Sequence, residues 1–180
     1  MITMACNNSS KDSVEKADSA NEAKADTAAK NDQAVIDEAS SSFLVTIANN
    51  GMAEVQIANT AQEKAVYADV KSYAAMLYHD HSAVNQTVKE LAARKNVTLP
   101  DTLSAAKKTE VTNFQTKAGK EVDKEFIKMM IKGHTAGIEA FEKIKTDSQD
   151  PDVRSFAEQT LPTLRAHLDS AKALEKKYWK

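Results

Sequence analysis

Glu54, His81, His134 and His167 stand at positions where the surrounding helical spacing calls for apolar side chains. Glu54 is seven residues after Ile47 and three before Ile57, and His81 is four after Leu77 and three before Val84. His134 is three after Ile131 and four before Ile138, and His167 is three after Leu164 and four before Ala171. Each therefore falls on the inward stripe of its own segment. A buried carboxylate or imidazole is costly unless something pairs with it. One shared cation would satisfy all four together. Three imidazoles and a carboxylate suit one divalent metal ion, with zinc favoured and iron second; manganese, cobalt, nickel and copper accept the same donors. A lone histidine on an apolar stripe is more often a hydrogen-bonded core residue. One such residue on each of four segments favours the metal reading.

The four stripes that must position them are read from the apolar spacing. The first runs through Val35/Ile36, Phe43, Ile47, Ile57 and Ala61, with Gly51 marking a tight helix contact or a bend. The second runs through Val70, Tyr73/Ala74, Leu77, Val84, Val88 and Leu91 and ends at Asn96. Leu99-Pro100 marks a turn, Asp101 or Thr102 is placed to cap a short helix over about 102–117, and Gly119 interrupts it. The third runs through Val122, Phe126/Ile127, Met130/Ile131, Ile138 and Phe141. Asp150-Pro151 signals the start of the fourth, through Val153, Phe156/Ala157, Leu161, Leu164, Leu168, Ala171 and Leu174. Pro162 inside it predicts a kink or local opening. The expected architecture is all-α: an antiparallel four-helix bundle over residues 34–180, ferritin-like, with a short extra helix between the second and third long helices.

Height along the bundle decides whether the four polar residues meet. With bends near residues 66 and 149, Glu54 lies 12 residues before its bend and His81 15 after, while His134 lies 15 before and His167 18 after. At ~1.5 Å per residue all four are about 18–27 Å from a bend, which is one layer if both bends share an end. His79, two residues from His81, points off the stripe and serves as an exposed control. Tyr78, Asp80 and Asp123 are candidates to hold the ligands from behind, with Tyr73 also within reach and packing as the default role of both tyrosines. Asp80 faces about 100° from His81 and suits an inter-helix or surface contact. Asp123 is about 16 Å along the helix from His134, too far for a ligand, and is expected to cap the helix after Gly119 or bond a tyrosine. Met76, Met129 and Met130 read as core filler.

The N-terminal region differs in kind. Residues 1–6 read M-I-T-M-A-C, a small residue before the chain's one cysteine, and resemble the end of a bacterial lipoprotein signal. The resemblance implies lipidation at Cys6, a membrane anchor, and a place in the cell envelope, in the periplasm or at the outer membrane. Residues 7–33 contain Val14 as their one large apolar side chain and are expected to be a disordered tether.

Composition narrows the function classes. Four glycines and three prolines in 180 residues leave too few turns for sandwiches, barrels or glycine-rich nucleotide folds. A net charge of −2 and 6% aromatic residues supply neither the basic field nor the stacking platforms of a nucleic-acid binder. One cysteine excludes an internal disulfide or a cysteine-based zinc cluster.

The order Gly51-Met52-Ala53-Glu54-Val55, Val70 to Met76 into Asp80-His81, Val122-Asp123, the eleven-residue step to His134, and Leu161-Pro162 followed by His167 resembles the domain-of-unknown-function family 4142. That family is described as predicted outer membrane proteins with a ferritin-like bundle, and the resemblance spans about residues 35–178. It implies an envelope-located helical bundle and no established activity. Val122 and Phe126 depart from the family's usual phenylalanine and tyrosine. The expected function is therefore metal binding by an envelope lipoprotein, for buffering, sensing or stress response. The alternatives are a metal-free structural or partner-binding bundle, a ferritin-like oxidase, and a mononuclear metal hydrolase. The oxidase requires Glu-x-x-His pairs. Tyr78, Ile131 and Leu164 occupy those glutamate positions instead, and no catalytic residue is assigned.

Overall fold

The computed structural model describes residues 11–30 and 36–180. Among them the chain forms six helices and no strand: α1 (Ser13–Lys30), α2 (Glu38–Lys64), α3 (Ala68–Arg94), α4 (Ala105–Gln115), α5 (Lys120–Asp147) and α6 (Pro151–Trp179). The starts follow local chemistry. Asp37 caps α2 by accepting from Ser40 N, and Asp150 caps α6 by accepting from Asp152 N and Val153 N, with Pro151 in the first turn. Ser104, rather than Asp101 or Thr102, caps α4. Gly119 turns the chain into α5 at φ 56°, a conformation that costs glycine little.

The four long helices are registered by specific pairs. Lys177 and Tyr178 of α6 meet Asp69 of α3. Phe43 and Phe141 pack edge to face at 5.0 Å between α2 and α5. At the other end of the same pair, Asp123 of α5 takes Val66 N and Tyr67 N, at the α2–α3 turn. Residue numbers rise on one helix as they fall on its neighbour, so these contacts run antiparallel. Lys95, just past α3, bonds Asp150 and Asp152 at 2.7 Å each and ties that end to the start of α6.

α4 lies against α2 and α5. Asn49 and Ser104 bond each other near its start, and Lys64 Nζ reaches Gln115 O at its end. The link between α3 and α5 thus travels lengthwise along α2, as a crossover must.

Two expectations are corrected here. The tether assigned to residues 7–33 is helical over Ser13–Lys30 and packed, with Ala17 2% and Ala28 7% exposed. It docks through polar bonds as well as methyl groups. Ser13 Oγ donates to Thr102 O, Asn21 exchanges two bonds with Thr98, and Lys24 Nζ donates to Asn96 O. An apolar-face criterion does not register such a helix. Pro162 does not open α6, which continues through it. Pro162 and Glu158, whose carbonyl loses its helical donor, are both exposed, so that carbonyl is not stranded in the core.

The apolar core is split in two. One cluster includes Phe43, Leu44, Val88, Leu91, Phe141 and Phe156; the other includes Ile57, Val70, Leu77, Phe114, Phe126 and Ile127. The polar layer of Glu54, His81, His134 and His167 lies between them.

Candidate metal centre

The three histidines come from three helices and meet in the core. His81 on α3, His134 on α5 and His167 on α6 are 5%, 2% and 3% exposed. His81 Nε2 is 3.3 Å from His134 Nε2, and His134 Nε2 is 3.3 Å from His167 Nδ1. Each residue offers one nitrogen to a group whose members lie within 4.8 Å of one another.

Behind each ring stands an acceptor. His134 Nδ1–H donates to Met130 O at 2.9 Å, one turn back on α5. His167 Nε2–H donates to Asp80 Oδ2 at 3.1 Å. His81 Nδ1 lies 3.2 Å from Glu54 Oε2, an ion-pair contact without the alignment of a hydrogen bond. With His134 and His167 bonded outward and His81 Nδ1 turned to Glu54, the nitrogens His81 Nε2, His134 Nε2 and His167 Nδ1 turn their lone pairs to one another. Lone pairs that converge repel until a cation joins them. Outer acceptors that fix ring tautomer and orientation are the usual support of a histidine metal site.

The electrostatics agree with this use. Burial pushes His81 down to about 4, helped by neighbouring His167, and burial pushes His134 down to about 4 against the pull of Glu54. Both are neutral near pH 7, as a ligand must be. Burial raises the Glu54 carboxyl above its ordinary range, with His134 acting against that. Asp80 is held low by the bond from His79 and further by His167, despite some burial.

Glu54, expected as a fourth ligand, is placed behind His81 instead of among the three nitrogens. Its side chain reaches across from α2 to the outer nitrogen of the ring. Asp80 bonds His167 and exposed His79, whose side chain is 84% exposed. Asp123 does not cap α5, and the tyrosine it bonds is Tyr67, through the backbone and not the hydroxyl. It is fully buried and accepts the backbone N–H groups of Val66 and Tyr67, at 2.8–3.1 Å. Tyr78 is 41% exposed. Tyr73 is the tyrosine that reaches the cluster: its buried hydroxyl donates to His167 O at 2.9 Å.

Two supports escaped the sequence reading, the Met130 carbonyl and Gly133, whereas the spacing already puts Tyr73 within reach with packing as its default role. The first was visible in principle, because a core histidine on a helix can always reach the carbonyl four residues back. Gly133 faces Glu54, whose Oε1 lies 3.4 Å from where a Cβ would stand. Gly51 makes a close contact and no bend, since a Cβ there would sit 1.9 Å from Asn85 Oδ1. A cavity of about 750 Å³ opens between α2, α4 and α5 and is lined at its inner end by Glu54, His81 and His134. Cys6 lies outside the described residues.

Fold and site together define an all-helical protein with a buried three-histidine cluster able to hold a metal. The chain belongs to the family Domain of unknown function (DUF4142), which matches residues 15–174. No curated protein matches it. Among solved structures it is similar to a DUF305 fragment from Deinococcus radiodurans, with TM-score 0.71 and 14% identity, covering 80% of this chain and 99% of that one. It is also similar to CopM in the Cu(I)-bound form, with TM-score 0.67 and 17% identity, covering 78% and 98%. At such identities the likeness is one of fold.

Proposed function

We propose that this protein binds one transition-metal ion through His81, His134 and His167, with Glu54, Asp80 and the Met130 carbonyl holding the rings from behind. The observation that carries the reading is the convergence of three imidazole nitrogens, two of whose opposite N–H groups are hydrogen-bonded and the third of which faces the Glu54 carboxylate. When bound, the ion supplies the positive charge that the converging lone pairs require. Zinc is the ion these donors favour, since three neutral imidazoles with a free fourth position are a familiar zinc set. Copper displaces iron as the second choice. Glu54 sits behind a ring, so the carboxylate that would favour iron is missing from the donor set. The fold likeness to CopM, described as Cu(I)-bound, points the same way.

The setting we propose is a bacterial cell envelope, with a lipid anchor at Cys6. There the four long helices act as an antiparallel, ferritin-like four-helix bundle, and the role is metal buffering, sensing or stress response. Elemental analysis of the purified full chain tests the metal reading. About one ion per chain is expected, lost in His81→Ala and His167→Ala and retained in His79→Ala. Equal content in all three variants would sink the assignment. No metal after incubation with zinc and copper would favour a second reading, a hydrogen-bonded histidine layer, for which the 3.3 Å nitrogen spacings also suffice. For the anchor, full-length protein in its natural host should partition with membranes and Cys6→Ala should not.

A further inference from the structure

The three histidines are closed off on most sides. Apolar clusters lie above and below them. At the α3–α6 seam Asp80 is already engaged by both His79 and His167, and it meets His167 at Nε2, the nitrogen turned away from the cluster. A cation arriving there would face the wrong side of the ring.

The α2–α5 side differs. The cavity of about 750 Å³ reaches Glu54, His81 and His134 directly. Glu54 has 22% of its side chain exposed, against 7% for His81, so it is the more accessible of this pair. Small residues, Gly133, Ala136 and Gly137, line its α5 wall beside the bulkier Met129, Lys132 and Phe141. A Cβ at Gly137 would meet nothing within 4 Å, and one at Gly133 would meet only Glu54. Four lysines line it as well: Lys107 is paired with Glu110 at 2.7 Å, Lys117 with Glu121 at 2.7 Å, Lys128 lies 3.8 Å from Glu125, and Lys132 has no ion pair among the described residues, while Glu54, Glu110 and Glu125 line the same cavity.

We propose that this cavity is the route by which a metal cation enters and leaves the three-histidine cluster, with the Glu54 carboxylate at its inner end. The proposal rests on the metal-binding reading above and adds the direction of access. A side chain introduced at residue 137 or 136 would then obstruct the path without touching a ligand.

The test uses the full chain and zinc alone as the probe. Uptake is followed by stopped flow and release by transfer to excess chelator, for wild type, Gly137→Phe and Ala136→Phe. Ala136 is exposed, so its variant carries the test if Gly137→Phe does not fold. A plugged route slows uptake and release together, by about tenfold, and leaves affinity and stoichiometry within about twofold of wild type. Unchanged rates in the folded variants would overturn the route. So would an affinity loss carried by faster release alone, which is the mark of a distorted cluster. Wild-type protein that takes up no zinc would fail at an earlier point, against the three-histidine reading itself.

Discussion

Each histidine in the cluster is defined by what holds its outer nitrogen. Met130 O and Asp80 take the outer N–H groups of His134 and His167, Glu54 faces the outer nitrogen of His81, and three lone pairs point inward. Loss of such a support commonly costs about 10–100-fold in metal affinity, whereas loss of a ligand abolishes the site. Glu54→Gln is therefore expected to weaken zinc binding within that range while keeping about one ion per chain, measured by chelator competition. Full loss of stoichiometry would make Glu54 a ligand. The same residues set an acid response. His81 and His134 are pushed down to about 4 in the folded chain, below the ~6.5 of an unfolded histidine. As pH falls the unfolded chain takes up these protons first. Their contribution to stability is whole above about pH 6.5 and is lost as pH approaches 4. Glu54, raised by burial, works in the opposite sense, one carboxyl against two imidazoles. Metal-free protein should melt several degrees lower at pH 4.5 than at pH 7, at about 2–4 °C per kcal/mol for a chain of this size. A flat profile would contradict neutral buried imidazoles.

At the scale of elements, Asp123 couples three helices. It sits on α5, and its carboxylate satisfies the orphan N–H groups at the link from α2 to α3. Removing it leaves those part-buried donors unpaired, so Asp123→Ala should cost about 1–3 kcal/mol in urea unfolding. Zinc stoichiometry should persist, because Asp123 touches no member of the cluster; loss of both together would mean that the turn and the site are coupled. α1 is a second case. Asn21→Ala removes both bonds to Thr98 and should cost about 1–2 kcal/mol. No measurable change would mean that the docking of α1 contributes nothing to stability.

At the scale of the whole molecule, the polar layer divides the core into two apolar halves. A cation placed there binds the folded chain and not the unfolded one, so it should raise the melting temperature by mass action. At a free concentration of 100 times Kd the gain is about 2.7 kcal/mol. Excess chelator should reverse it, and an unchanged melt in both directions would remove the metal from the account of stability. No helix among the described residues is long and apolar enough to cross a membrane.

The amino-acid sequence by itself determined the helical class and the approximate ends of the long helices. It also placed Glu54, His81, His134 and His167 at inward positions. The reason is local: apolar spacing, capping residues and scarce glycine and proline act within a few turns of the chain. Only the tertiary structure decided that the three imidazoles point nitrogen to nitrogen while Glu54 stands behind His81, because a helical register cannot show which side of a ring a neighbouring helix meets. It likewise decided that Asp80 serves His167, that Asp123 serves a turn, and that Tyr73 rather than Tyr78 reaches the cluster. The docking of α1 belongs to the same class. Its polar bonds go to residues about 72–89 positions away, and no pattern within its own 18 residues records them.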